Sequence, residues 1–412
     1  MVATSKGDHM RTALIVALLL TVSLASRAIA DMPKFKMQEI STDLTIGYAV
    51  SLVDINGDGK PDIVVVDKAR VIWFENPTWK MRVIMEGQKN LDNVCLDPYD
   101  IDGDGQIDLA LGAGWKPGKT GPSDGSSLQW FRRGKTLDEP WQMFTIKYDE
   151  PTLHRMRWAD LDGNGKKVLL TVPLTGRGAS AGKNWSEAGV NMQIRRIPAD
   201  PTQADWPTEL VTDQLHVPHN FQVINVSGGK GPEILVASYE GVSLLTKPNG
   251  KWEIAHIGEG DQAKPNTNRG SSEIKLGKLK SGTRFIATIE PWHGNQVVVY
   301  TQAAGANDWK RQVLDNQLLW GHAVWCSDLD GDGDDELVIG VRDPLPGKAK
   351  SGVRIYKATD GTGEKWDKSE LDPGGVAVED LAVLDLNGDG KPDIVAVGRA
   401  TKNARIYWNE GK

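Results

Sequence analysis

The chain reads as an all-β protein, a seven-bladed β-propeller of four-stranded blades whose ring is closed by the N-terminal strand. Three observations predict this. An Asp-rich loop recurs between strand-like runs, a third-strand pattern occurs seven times in 412 residues, and six tryptophans open the outer strands that follow it. A fixed period of this kind marks a repeat architecture.

The loop is the clearest element. It reads Asp54-Ile55-Asn56-Gly57-Asp58-Gly59-Lys60-Pro61-Asp62 and returns from Asp100 to Asp108, from Asp328 to Glu336 and from Asp385 to Asp393. A weaker copy runs from Asp160 to Gly165. Oxygen side chains at loop positions one, three, five and nine suit one hard cation, and glycine at position six permits the bend that brings them together. The predicted calcium ligands are Asp54, Asn56, Asp58 and Asp62; Asp100, Asp102, Asp104 and Asp108; Asp160, Asp162 and Asn164; Asp328, Asp330, Asp332 and Glu336; and Asp385, Asn387, Asp389 and Asp393. The flanks, such as Ala49 to Val53 and Ile63 to Val66, are β-branched strand patterns rather than helices. Calcium is therefore expected to pin a strand-to-strand turn, a structural role at several sites.

Third strands follow at Val71–Phe74, Leu128–Phe131, Met192–Ile194, Val242–Leu245, Val297–Tyr300, Val353–Tyr356 and Ala404–Trp408. Outer strands open at Trp79, Trp141, Trp206, Trp252, Trp309 and Trp366. The seventh is expected from Phe35-Lys36-Met37, which matches Trp79-Lys80-Met81. Each unit then takes about 55 residues, the size of a four-stranded blade with some long loops. The tryptophan row is read as packing between blades.

Residues 1–30 are read as a signal peptide and residues 31–412 as the propeller. Lys6 and Arg11 precede an apolar run from Thr12 to Ala25, and Ala28-Ile29-Ala30 offers a cleavage site. The expected location is secreted or periplasmic, with no integral membrane segment after cleavage. Formal net charge is −7; losing residues 1–30 removes three positive charges and one negative, leaving −9. No basic run is present, which argues against a nucleic-acid partner. Cys95 and Cys326 fall in distant repeats and are expected to be buried free thiols.

The motif between strands resembles that of FG-GAP or VCBS repeat propellers across the mature chain. Ile289-Glu290-Pro291-Trp292-His293-Gly294-Asn295-Gln296 and Val378-Glu379-Asp380, followed by Gly390 to Arg399, are similar to the propeller domain of fungal aldos-2-ulose dehydratases. Those enzymes eliminate water from keto-sugars, and calcium-bearing propellers that act as rhamnose–glucuronate lyases share the architecture. The resemblance implies a carbohydrate substrate or ligand and carbon–oxygen lyase chemistry. Fold alone does not fix activity.

Repeat geometry separates the two ends of the ring. The calcium turns lie on one face. The loops entering each first strand, and those joining second to third strands, lie on the other. The position six residues before each calcium loop holds Tyr48, Val94, His154, His219, Ser272, His322 and Glu379. Of seven histidines in the chain, three fall at this one repeat position. His293 arrives from the other loop set of the same face. Glu273 and Asp380 come from neighbouring entries, and Arg177, Arg342 and Arg399 from second-to-third strand loops. Side chains that vary between blades suit an asymmetric site on a symmetric scaffold. The candidate catalytic set is His154, His219, His293, His322, Glu379, Arg342 and Arg399, and the choice between acid–base work and an additional divalent metal, Zn2+ or Mg2+, is left open. Two loops, Gly112 to Ser127 and Leu174 to Val190, lengthen blades two and three on the same face. The competing function is a non-catalytic module that binds carbohydrate or protein. Oligomeric state is not legible.

Overall fold

The computed structural model describes residues 1–2, 32–87, 92–225, 231–264, 266–344, 347 and 350–412. The expected signal peptide, residues 1–30, lies outside the described residues apart from Met1 and Val2.

Seven antiparallel four-stranded sheets make the ring. Blade one shows the plan, with strands Gly47–Val53, Asp62–Asp67, Arg70–Glu75 and Lys80–Glu86 ordered from the axis outward. The second strand is the buried centre. Ile63, Val64, Val65 and Val66 are all fully buried. Strand side chains alternate between faces. Val64 and Val66 accordingly pack toward blade two, while Ile63 and Val65 pack toward blade seven. A strand covered on both faces needs an unbroken apolar run, and β-branched residues fit it. The same logic gives one apolar cluster at each blade-to-blade interface around the ring.

Blade seven takes Lys34–Ser41 as its outer strand, paired with the C-terminal strand Ala404–Gly411. Met37 faces Tyr407 as Met81 faces Phe74, so the N-terminal segment occupies the expected register. Closure across the ends leaves no long free sheet edge. The outer tryptophans pack at the interfaces: Trp79 meets Trp408 with ring centroids 5.8 Å apart, and Trp366 meets Phe285 at 5.1 Å. Cys95 and Cys326 are free thiols. Among the described residues, no helix is long and apolar enough to cross a membrane.

The Asp-rich turns share one construction. Asp54 accepts the backbone N–H groups of Gly57, Asp58 and Gly59, and Asn56 accepts that of Asp58. Gly57 and Gly59 have φ of 78° and 86°, a region closed to most side chains. Position nine is a latch. Asp62 accepts the N–H of Ile55 at 2.9 Å and that of Asn76 at 2.8 Å, tying the turn to the end of the third strand.

Candidate functional site

The first strands of blades three, six, seven and one carry a register shift at their entry. Pairing passes from Leu153 to Arg155, from Gly321 to Ala323, from Val378 to Asp380 and from Gly47 to Ala49. The residues left out of the ladder are His154, His322, Glu379 and Tyr48. A bulge frees one residue from pairing and re-aims its side chain. The bulge is how these four blades free the side chain at the shared position; blade four presents His219 without one. Thr152, Val217 and Trp320, two residues before His154, His219 and His322, have φ of 48°, 47° and 53°. Val and Thr are β-branched and rarely adopt this conformation, so the backbone is strained where the histidines enter.

The imidazoles meet. Ring centroids lie 4.5 Å apart for His154 and His219, 4.4 Å for His219 and His293, 5.1 Å for His219 and His322, and 4.8 Å for His293 and His322. One ring nitrogen from each of His219, His293 and His322 lies within 4.8 Å of the others. The Nε2 atoms of His219 and His293 are 2.7 Å apart. His154 sits beside this group but outside it. Its Nε2 faces Arg155 Nη1 at 3.4 Å, and its Nδ1–H donates to the His219 carbonyl at 3.1 Å.

Two of the rings are held from behind. His322 Nδ1–H donates to the Glu379 carbonyl at 2.6 Å. His219 Nδ1 lies 2.7 Å from Glu273 Oε1. That contact is bent rather than straight, and neither atom has a better-aligned hydrogen-bond partner. Asn220 Nδ2 donates to the other oxygen of Glu273. Anchoring Nδ1–H leaves Nε2 with its lone pair toward the centre, the arrangement that orients metal-binding histidines. His293 is half-buried and nearest to solvent, with φ of 49° and its ring stacked on Trp292 at 3.9 Å.

Burial sets the charge state. It pushes His154, His219 and His293 well below the usual imidazole value, and His322 from 6.5 to about 3; Arg155 adds in the same direction for His154, His219 and His322, and Arg342 for His219, His293 and His322. The cluster is therefore neutral at neutral pH. Glu379 is raised by burial against the pull of Arg342 and Arg399. Its Oε1 lies 2.7 Å from Arg399 Nη1 and 3.9 Å from His322 Nε2, and its Oε2 lies 3.6 Å from Arg342 Nη1. Arg342 also stacks on Trp320 at 4.0 Å.

The donor set fits a divalent ion that prefers nitrogen ligands. Three convergent imidazoles, a buried carboxylate oxygen of Glu379 without a hydrogen-bond partner, and the anchored Nδ1 of His322 suit zinc. Magnesium prefers oxygen donors and suits the cluster poorly. In the Asp-rich loops, oxygens of Asp100, Asp102 and Asp108 lie within 4.8 Å of one another, as do those of Asp328, Asp330 and Asp332. Those sets suit calcium by donor type.

Several sequence candidates sit elsewhere. Arg177 does not face the site; its guanidinium donates to the carbonyls of Gly121, Pro122, Asp124 and Asp149 and fastens one long loop to the other. Asp380 accepts the N–H of Val50 and lines a central cavity of about 200 Å3 below the histidines. The other described histidines, which are not candidates, lie apart: His216 pairs with Glu240, and His256 contacts Ser243. Conversely, Trp320 and Arg155 belong to the site, and no repeat position announced them. The long loops bring Trp115 to 5.2 Å from the His154 ring, and Trp115, Trp185 and Trp292 pack over Leu174, Val217 and Tyr239 beside the histidines.

Comparison with known proteins places the chain beside related propellers. Residues 125–303, which include His154, His219 and His293, match the family model of the aldos-2-ulose dehydratase β-propeller domain. The chain is similar to that propeller. Residues 54–111 and 328–396 match the FG-GAP-like repeat. The aldos-2-ulose dehydratase of Phanerodontia chrysosporium is 27% identical over 271 residues, which are 60% of this chain and 29% of that protein. The chain thus spans under a third of that relative. Among solved structures, an Agrocybe aegerita lectin that recognises non-reducing terminal N-acetylglucosamine aligns over 80% of this chain and 82% of its own, with TM-score 0.50 and 15% identity. A chain of the mitotic checkpoint complex aligns over 97% and 99%, with TM-score 0.54 and 10% identity. These two share the fold.

Proposed function

We propose that the chain is a sugar lyase that eliminates water or an alkoxide from a keto-sugar or a uronate-containing glycan at the histidine mouth. The observation that carries this reading is the convergence of His219, His293 and His322 beside Glu379, Arg342 and Arg399. The resemblance to a dehydratase propeller supports the substrate class. Export, from the leader-like residues 1–30, and calcium in the Asp-rich loops belong to the same proposal.

Elimination next to a carbonyl moves a proton from carbon to a base, turns that bonding pair into the new double bond, and releases oxygen with a proton. Neutral imidazole is a competent base near neutral pH. His293 is the proton-transfer candidate because it is nearest to solvent. His219 and His322, held through Nδ1, have Nε2 available as ligands. A divalent ion held there supplies Lewis-acid polarisation of a carbonyl oxygen. Arg342 and Arg399 place positive charge where an enolate-like oxygen develops. The Trp115 and Trp292 side offers flat apolar surface for a sugar ring.

The test is elimination assayed by ultraviolet absorbance of the unsaturated product, using keto-sugars and uronate-ended glycans. Wild type is expected to form product, and His219→Ala and His322→Ala to lose it while melting cooperatively. Substrate binding without product, unchanged in both variants, would instead make this a binding module.

A further inference from the structure

The strand registers make one third-strand position equivalent in every blade. Leu109 pairs with Phe131, Leu169 with Arg195 and Leu337 with Tyr356. The next residues are Arg132, Arg196 and Lys357. All three reach back to position three of their own blade's Asp-rich loop. Arg132 Nε lies 2.6 Å from Asp102, Arg196 contacts Asp162, and Lys357 contacts Asp330. In blades one and seven, Ile63 pairs with Phe74 and Ile394 with Tyr407, so the equivalent residues are Glu75 and Trp408. Position three there is Asn56 or Asn387. Across these five loops, aspartate at position three is accompanied by a basic third-strand residue, and asparagine is not.

Blade six carries the arrangement furthest. Lys357 is buried, and its Nζ also lies 2.7 Å from Asp332 Oδ2 and 3.5 Å from Glu336 Oε1, whereas the half-exposed Lys412 Nζ touches only the Asp330 oxygen, at 3.1 Å. Lys357 therefore touches three of the four side chains that would ligate a cation. Arg132 reaches one carboxylate of its loop, and so does Arg196.

We propose that the Lys357 ammonium is the resident cation of the blade-six loop, and that calcium loads the open loops of blades one and seven in its stead. A tethered ammonium needs no association entropy, and its own burial depends on these carboxylates. A calcium ion entering the cage must expel it, or share the cage with a like charge. The blade-six turn is thereby pinned without metal, while the blades on either side of the ring closure depend on it.

The experiment counts calcium ions bound per full-length chain, by native mass spectrometry of chelator-stripped protein titrated with calcium alone. Lys357→Met is expected to bind one more calcium than wild type, and to show a larger calcium-dependent rise in melting temperature. Asp330→Asn is expected to bind the same number as wild type. Equal counts in wild type and Lys357→Met overturn the proposal. Loss of one calcium in Asp330→Asn also overturns it, and this second variant decides the matter should Lys357→Met fail to fold.

Discussion

Exchanging Glu273 for glutamine perturbs the histidine site without touching an imidazole. Glu273 is 2% exposed; one oxygen accepts from Asn220 Nδ2, and the other lies 2.7 Å from His219 Nδ1 and 3.8 Å from Arg155 Nη2. Glutamine has the same length but one acceptor oxygen. Either Asn220 or His219 must then face an NH2 group. The ring of His219 either turns or moves its proton to Nε2, the atom 2.7 Å from His293 Nε2. A protonated Nε2 has no lone pair for a metal. Loss of a partner of this kind costs about 10–100-fold in metal affinity, or roughly 1.4–2.7 kcal/mol. The assay is competition for zinc against a chromophoric chelator, at pH 7.5 where the buried imidazoles are neutral. Thermal unfolding should remain cooperative, since glutamine keeps the shape and one acceptor oxygen, although buried Arg155 loses a carboxylate 3.8 Å away. Unchanged zinc affinity in Glu273→Gln, alongside lost affinity in His219→Ala, would refute the idea that Glu273 orients the ring.

Three other outcomes follow. Chelating calcium should lower the melting temperature. Each loop occupied at a hundred times its Kd contributes about 2.7 kcal/mol, so two loops give about 5 kcal/mol, and an unfolding entropy of about 0.8 kcal/mol/K for a chain of this size converts that to roughly 7 °C; an unchanged curve would remove the Asp-rich turns as cation sites. The calcium-free protein should become more stable as pH falls from 8 to 6.5. Burial raises Asp108 from 3.8 to about 7 and Glu336 from 4.5 to about 8, so the folded chain binds protons that the unfolded chain releases, and stability is lost as pH rises through those values. Below 6.5 the histidines reverse the slope, because burial holds them neutral while the unfolded chain takes up protons; a melting temperature that falls steadily from pH 8 to 6.5 would contradict this. Val217→Gly should relieve strain at φ 47° while losing the packing of Val217 against Leu174 and Tyr239, for a net change within about 1 kcal/mol; a loss above about 3 kcal/mol in chemical denaturation would mean the backbone there is not strained.

The fold was legible because each blade repeats its signals. Val64 and Val66 pack one way, Ile63 and Val65 the other, and an unbroken β-branched run records both contacts. The Phe35 strand was found by likeness to Trp79 and lies in the matching register. Convergence of His154, His219 and His322 followed from shared repeat position, since pseudo-symmetry brings equivalent positions to one mouth. Local conformation was harder to read. Nothing in the sequence marks the bulges at His154, His322 and Glu379, nor the left-handed backbone at Val217 and Trp320, which tertiary packing imposes. His154 turns its Nε2 to Arg155, its chain neighbour, and so stands beside the other three. Arg177 satisfies loop carbonyls rather than a ligand. Nothing in the sequence singles out Lys357 or Arg132, and only the pairing register shows that they reach the Asp-rich turns.

The account rests on His219 and His322 holding one divalent ion beside His293, the proton-transfer group. The direct measurement is elemental analysis of the full chain after calcium has been removed by mild chelation and the protein re-equilibrated with zinc. One zinc per chain in wild type, and none in His219→Ala or His322→Ala, is the predicted result. Wild-type protein that retains no zinc, or variants that retain as much as wild type, would contradict it.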